Sequence, residues 1–370
     1  MAYYLSGFFF TLVFCWLADK YNRKNKQGPL VLCLIIACII LSALAGIRDD
    51  CIGTDIMYYA KSCFQRAQGY SSVIDFFNST VIDKGYALLA YVISRFTNEL
   101  GVMLFFSQFL VVAPVFASAY IKRNETSFTL VGFVYCFWFF CFSLNIMRQS
   151  ISCAFLLLAA ALYEQNKTIN KWVILICMFA CTFHISALFG CLVYILCRYA
   201  TSGKQMSSFL KKGIVFLGVI ISMVGFSYIL TLLAKFGLIP QKYIRSMSYS
   251  FTAQEFSLVE FCLRGVILFF PIVATMIVKR KVPEKLHFVN YLIVIGYVLS
   301  FGKGISTYLT RLVYYCNYFA LLSIPLNICC LQKNNRRIVF CIEILLLFIY
   351  WYQIYIYMGW HEVYPFVTRF

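Results

Sequence analysis

Isolated charged side chains stand at the ends of long apolar segments, where they could bind an anion and move a proton. Arg48 precedes two acidic residues, and Arg148 lies in the tight turn SLNIMRQSIS. Arginine binds phosphate oxygens through a planar, permanently charged fork, and a carboxylate or imidazole can accept a hydroxyl proton. The candidate catalytic residues are Arg148, His184, Asp49, Asp50 and Asp55, and those for anion binding are Arg48, Arg264, Lys303, Arg311, Tyr314 and Tyr315.

The composition shows which elements must position these side chains. Of 370 residues, 62% are apolar and 12% are charged, whereas soluble domains carry about 25% charged residues. Continuous apolar runs such as 217–234 exclude a transmembrane barrel, whose strands alternate. We therefore expect an all-α polytopic membrane protein of one domain, 1–370, with about twelve spanning helices. The expected spans are 1–18, 29–47, 100–121, 128–146, 149–163, 171–184, 185–199, 213–234, 258–278, 286–302, 309–330 and 338–358.

The positive charge indicates the orientation. The formal net charge is +18, and we attribute it to cytoplasmic loops, which collect Lys and Arg, rather than to a nucleic-acid partner. Six basic loops share one side if the short segment 85–96 lies in the outer interface instead of spanning. These loops are 19–28, 122–127, 164–171, 198–212, 279–285 and 331–337, and they hold 19 of the 32 Lys and Arg residues.

This arrangement predicts both termini outside and two larger external loops, about 48–84 and 236–257; an even span count with both termini inside is the main alternative. The candidate residues then gather at one depth around a cationic cavity that opens outwards. Each has a simpler explanation, since an arginine near a span end commonly anchors the helix, a lone histidine commonly holds a turn, and the tyrosines suit an aromatic belt. The joint pattern favours a site.

A cationic external cavity suits a diphosphate. Fixed guanidinium groups can stabilise the charge that grows on a departing diphosphate without a metal. Asp49, Asp50, Asp55 or His184 would accept the proton of the attacking hydroxyl. The sequence contains no GxxxxGK[ST], HExxH or GxSxG motif and no Cys/His metal spacing, so we expect neither a metal nor a cofactor. Cys51 and Cys63 share the polar loop and could form a disulfide.

Five segments, in this order, resemble the EpsG-like polysaccharide polymerases, whose role is related to that of Wzy-type O-antigen polymerases. The first is AGIRDDCIGTDIMYYAKSCF (45–64), with Arg48 and Gly53-Thr54-Asp55, followed by Tyr58 or Tyr59. The second, KGYALLAYVI (84–93), departs from the family in having Lys84 before Gly-Tyr, with Asp83 one step earlier. The others are NIMRQSISCAFLLLA (145–159), FACTFHISALF (179–189) and TRLVYYCNYF (310–319).

The resemblance implies a membrane glycosyltransferase with a GT-C-like helical bundle, acting at the outer face of the bacterial cytoplasmic membrane. It would join polyprenyl-diphosphate-linked oligosaccharide repeat units into capsule, O-antigen or exopolysaccharide. Its expected partners are that lipid-linked substrate, the surrounding bilayer and a chain-length regulator. A flippase of lipid-linked oligosaccharide, an O-antigen-type ligase, a membrane acyltransferase and a non-catalytic assembly partner remain as alternatives.

Overall fold

The computed structural model describes residues 1–201, 208–237, 257–301 and 307–369, and the regular elements of this part are helices. The α-helices are α1 (Ala2–Arg23), α2 (Gln27–Gly46), α3 (Ser62–Gln68), α4 (Val73–Ser79), α5 (Lys84–Ser94), α6 (Leu100–Ile121), α7 (Phe128–Val134), α8 (Phe140–Asn145), α9 (Met147–Asn166), α10 (Lys171–Phe183), α11 (Ala187–Thr201), α12 (Ser208–Lys235), α13 (Leu258–Lys279), α14 (Glu284–Leu299), α15 (Thr307–Asn317), α16 (Ala320–Cys329) and α17 (Lys333–Trp351). Wider π-helical turns lie at Ile56–Lys61, Tyr135–Phe139 and Tyr352–Tyr357, and a short 3₁₀ turn covers Trp360–Glu362.

The described part of the chain contains candidate membrane spans, but it does not confirm the twelve or so that were predicted. Seven helical stretches there are long and apolar enough to cross a bilayer: Ala2–Arg23, Gln27–Gly46, Leu100–Ile121, Phe128–Asn145, Leu258–Lys279, Arg311–Cys329 and Lys333–Tyr357. The predicted spans 171–184 and 185–199 correspond to α10 and α11, which have 13 and 15 residues. A full crossing of the membrane needs about 20 residues. The polytopic helical class is therefore confirmed, whereas the count of twelve is not.

The first half of the bundle is built by successive helix packing. Helix α1 packs on α2, α2 on α6, and α6 on α9, and α10 also packs on α9. Gly46 and Gly101 lie where α2 meets α6, and a Cβ on Gly101 would be 2.6 Å from the Gly46 carbonyl oxygen. The two backbones can approach this closely because neither residue has a side chain.

Basic loops converge at one end of the bundle. The Asn22 side chain donates to the Arg123 carbonyl (2.8 Å), and Lys285 pairs with Glu125 at 2.7 Å. Arg198 reaches Glu164 at 3.3 Å. Segments 19–28, 122–127 and 279–285 therefore meet, and Arg198 joins its own loop to the one that begins at residue 164. We call this the basic end.

Most of the segment 85–96, which was predicted not to span the membrane, forms α5, an 11-residue helix. It packs against α3 and α10, and Gly85 lies directly against Thr182 and Phe183 at the end of α10. The predicted external loop 48–84 is partly helical, because it contains α3 and α4. Most of the other predicted loop, 236–257, and Lys303 lie outside the described residues.

A disulfide between Cys51 and Cys63 is not formed. Both thiols are free: Cys51 is exposed, whereas Cys63 is buried. Cys63 lies on α3, where it packs in the apolar core, so a place in the same polar loop was not sufficient to bring the two cysteines together.

Candidate active site

A cavity of about 520 Å³ is lined by residues from both halves of the chain. The predicted site residues Asp55, Arg264, Arg311 and Tyr314 all line it. Much of the remaining wall is aromatic: Trp138, Phe139, Phe142, Tyr350, Tyr355 and Trp360. Pockets that combine an apolar wall with a few convergent polar groups are typical binding sites.

The loop that carries Asp55 is held by Asn145. The Asn145 Oδ1 atom accepts hydrogen bonds from the Thr54 hydroxyl (2.8 Å) and the Asp55 backbone N–H (3.0 Å). Gly53 just before them has φ +88°, a conformation that glycine adopts without steric cost. A Cβ there would also lie 3.2 Å from the Leu144 carbonyl oxygen. The first and third family-like segments therefore meet directly.

The first turn of α9 connects two further segments to this loop. Gln149 donates to the Arg311 carbonyl oxygen at 2.5 Å. Arg148 pairs with Asp83 at 2.7 Å, and its guanidinium stacks over Tyr59 at 4.5 Å. The carboxylate that pairs with Arg148 is therefore Asp83, whereas the residue directly before Gly-Tyr is Lys84. Arg148 is absent from the described cavity wall but contacts the surrounding loops.

The predicted cations differ in how their charge is compensated. Arg264 is buried and pairs with Glu260, one turn earlier, at 3.4 Å. Arg48 is also buried; its Nη2 donates to the Met147 sulfur at 3.4 Å. Arg311 is exposed at the cavity wall and has no carboxylate partner within the described part of the chain. Among the predicted cations that the structure describes, Arg311 is consequently the one most available to an anionic ligand.

The predicted acidic residues are separated by the structure. Burial raises the pKa of Asp55 above its usual range, and Arg148, Arg311 and Arg48 partly oppose that shift. The Cys51 backbone N–H donates to Asp49 (3.0 Å) and lowers its pKa. Asp50 pairs with Lys61 (2.8 Å) and Arg369 (2.5 Å). Of these three carboxylates, Asp55 combines a place on the cavity wall with a raised pKa, which suits proton acceptance.

His184 and Tyr315 lie away from the described cavity wall. The Ser186 hydroxyl lies 2.6 Å from His184 Nδ1 and 2.9 Å from the Tyr315 hydroxyl. Tyr315 is fully buried. This chain of contacts joins the turn after α10 to α15, so it connects helices. It does not bring the imidazole into the cavity that contains Asp55.

The cavity also contains ionisable residues that the sequence analysis missed. His361 and Glu362 come from the chain terminus, and Glu260 comes from α13. The Asn145 side-chain amide lies 3.1 Å from His361 Nδ1, and the Gly53 N–H donates to the Glu362 carbonyl at 3.2 Å. The sequence signal that could have been used was Glu260 four residues before Arg264 on one helix face; His361 and Glu362 had only their place after the last apolar segment.

The sequence analysis predicted that the protein has no metal site, and this stays a prediction. Among residues 1–201, 208–237, 257–301 and 307–369, no group of three or more His, Cys, Asp and Glu side chains has a metal-binding arrangement. The side chains that line the cavity supply guanidinium, carboxylate, imidazole and aromatic groups.

Together, the apolar helices and this cavity define a helical membrane protein with a polar, arginine-containing site at one end of its bundle. The model of the EpsG family matches residues 31–368, and the chain belongs to that family. The match covers the five segments that carried the resemblance. Comparisons with curated proteins and with solved structures gave no match, so the GT-C-like likeness remains an expectation.

Proposed function

We propose that this protein is a membrane glycosyltransferase that polymerises polyprenyl-diphosphate-linked oligosaccharide units at the outer face of the cytoplasmic membrane. The observation that carries the proposal is that Arg311 and Asp55 line the same cavity. One side chain can hold an anion and the other can accept a proton. Membership of the EpsG family supports polysaccharide synthesis as the process.

The proposed reaction uses these groups in one displacement. The acceptor hydroxyl oxygen bonds to the anomeric carbon of the donor unit, while the bond from that carbon to the diphosphate oxygen breaks. Asp55 takes the hydroxyl proton, and the polyprenyl diphosphate leaves with the bonding electron pair. Arg311, together with Arg264, stabilises the negative charge on the leaving group.

The aromatic wall supports a sugar ligand. Trp138, Phe142 and Tyr350 provide flat apolar surfaces beside the polar groups of the cavity. Aromatic rings supply large contact areas with little rotational freedom to lose. A sugar ring, which has apolar C–H faces and polar hydroxyl edges, is compatible with a wall of this composition.

The distribution of charge supports the orientation. The basic loops meet at the basic end. Helix α2 begins there, at Gln27, and ends at Gly46, just before the loop that carries Asp55. The Asp55 loop therefore lies at the opposite end of α2. Positive loops favour the cytoplasmic side, so the cavity would face outwards. The orientation can be checked independently by labelling Cys51, which is exposed, with a membrane-impermeant thiol reagent.

The function is tested in a strain that lacks this protein and is complemented with the wild type, Arg311→Gln or the matched control Arg280→Gln. Arg280 is exposed and lies at the basic end. We expect long glycan with the wild type and the control, but single lipid-linked units on the outer surface without the protein or with Arg311→Gln.

Two outcomes would contradict the polymerase proposal. Units that accumulate only on the cytoplasmic side would identify a flippase. Long polymer that forms but stays on the carrier lipid would identify a ligase. Protein levels of all variants are compared by immunoblot, so that a loss of polymer cannot arise from loss of the protein.

A further inference from the structure

A second cavity, of about 640 Å³, lies at the basic end. Its wall is formed by the end of α1, the loop 122–127, the start of α7, the end of α16 and the first turns of α17. It shares no lining residue with the candidate active site. Any ligand in this cavity would therefore be separate from the proposed sugar substrate.

Specific hydrogen bonds hold the wall together. Asp19 accepts from the Ser127 hydroxyl (2.6 Å) and from the backbone N–H groups of Phe128 (2.8 Å) and Thr129 (3.0 Å). Glu125 is paired with Lys285 at 2.7 Å. Both carboxylates of the wall are thus engaged by other groups, and their charges are partly compensated.

The arginines of this wall have a different status. Arg23, Arg123, Arg336 and Arg337 line the cavity, and none forms an ion pair with a carboxylate of the described residues. Arg123 stacks on Tyr120 at 4.6 Å, and Arg336 donates to the Leu331 carbonyl at 2.9 Å. These contacts orient guanidinium groups without neutralising them, so the cavity keeps an excess of positive charge.

The same cavity has an apolar portion. Leu130 and Phe340 line it together with Cys329 and Cys330. Phe340 packs edge-on against Phe133 with ring centroids 6.1 Å apart. On the outside of α17, Ile338 and Ile342 are exposed, as expected for a surface in contact with lipid chains. A ligand with both a charged head and an apolar chain matches this arrangement.

We propose that the cavity at the basic end binds the phosphate group of an anionic phospholipid, with the acyl chains running along the exposed face of α17. Arginine forms charge-assisted, bidentate bonds to phosphate, and basic pockets between transmembrane helices at the cytoplasmic surface are known to bind anionic headgroups. Inorganic phosphate offers the same chemistry without the chain. This inference does not depend on the polymerase proposal.

The proposal is tested by native mass spectrometry of the full-length, delipidated protein titrated with dioleoyl-phosphatidylglycerol or dioleoyl-phosphatidylcholine. The cavity variant is R23Q/R337Q, and the matched control is K171Q/R280Q, which removes two exposed cations near the same end but outside the cavity. We expect the cavity variant to bind phosphatidylglycerol about tenfold more weakly, with the control unchanged. R23K/R337K should be intermediate, because lysine keeps the charge but lacks the fork.

Equal weakening in the cavity and control variants would overturn the proposal, because it would indicate attraction to diffuse surface charge. Equal affinity of the wild type for the two lipids would overturn it as well. Inorganic phosphate serves as a competitor: if it displaces phosphatidylglycerol at comparable concentration, and does so only when Arg23 and Arg337 are present, the phosphate chemistry stands but the lipid assignment is wrong. Circular dichroism of every variant verifies that the fold is retained.

Discussion

The two ends of this helical bundle use arginine in different ways. At the end that contains the candidate active site, Arg48 and Arg264 are only 1% and 5% exposed, and Arg264 pairs with the carboxylate of Glu260. At the basic end, Arg23 and Arg337 are exposed and line a wide cavity. A buried guanidinium is positioned by specific neighbours because an uncompensated charge inside the protein is costly. Exposed guanidinium groups, such as Arg311 at the candidate active site and these two at the basic end, remain available to bind an anion. The buried arginines therefore shape their surroundings, whereas the exposed ones can bind a ligand.

The largest effect on activity is expected at Asp55 in the candidate active site. Asp55→Asn keeps the shape but removes the proton acceptor, and we expect the polymerisation rate to fall by about 10²–10⁴-fold. The rate is measured with purified enzyme and a lipid-linked repeat unit. Asp75→Asn is the control, since Asp75 is exposed on α4 and should retain the wild-type rate. An unchanged rate in Asp55→Asn would exclude Asp55 as the base.

Removing the exposed cavity cation should have the next largest effect. For Arg311→Gln we expect a loss of about 10²–10³-fold, because a charge that stabilises the leaving group is absent. Arg311 also opposes the raised pKa of Asp55. Activity requires ionised Asp55, so it declines as the pH falls through the pKa of Asp55. In the variant that decline should begin at a higher pH, and a pH–rate profile at unchanged position would contradict the coupling.

A smaller effect is expected at Asn145, which positions the loop that carries Asp55. Asn145→Ala removes the acceptor that holds the Thr54 hydroxyl and the Asp55 N–H, and we expect a loss of about tenfold to a hundredfold from misplacement of Asp55. Asn145→Asp keeps the acceptor but adds negative charge next to Asp55. That variant should shift the acidic side of the pH–rate profile upward, which a purely structural role would not do.

The smallest effect concerns packing at the two ends. Gly101→Ala places a methyl group against the Gly46 carbonyl, 2.6 Å from its oxygen, and should destabilise the protein by about 1–3 kcal/mol. At Gly28, near the start of α2, an added Cβ would meet no atom within 4 Å, so Gly28→Ala should be neutral or slightly stabilising. Thermal unfolding in one detergent compares the two. Equal midpoints would show that the close approach of α2 and α6 is unimportant.

Two residues of the cavity wall, Arg311 and Asp55, could be selected from the sequence because each is conspicuous by its type and position. Arg311 and Asp55 are charged residues at the margins of apolar segments, and such residues are costly in a bilayer unless they have a role. Glu260 was overlooked although it lies four residues before Arg264. The role given to His184 stays a prediction; in the structure its Nδ1 atom lies 2.6 Å from the Ser186 hydroxyl, which lies 2.9 Å from the Tyr315 hydroxyl.

Other residues could not be found in this way because their contacts are remote in the chain. Asn145 and His361 lie 216 positions apart, and Arg369 reaches Asp50 across 319. The catalytic role of Asp49 and Asp50 stays a prediction, and the sequence did not indicate that residues near 367 would lie against them: the Asp49 N–H donates to the Val367 carbonyl at 2.9 Å. No local pattern distinguishes an acidic residue that anchors a terminus from one that faces a cavity.

Local composition is enough to establish that this chain is a helical membrane protein, that its basic loops belong together, and that it contains arginines for an anion and carboxylates for a proton. These properties follow from the transfer free energy of each segment, which depends on local composition. The three-dimensional structure was needed to find where each helix begins and ends, which carboxylate shares a cavity with Arg311, and that His361 lies in the same cavity wall. Those outcomes depend on packing between distant segments, where a shift of one helical turn changes which side chains meet.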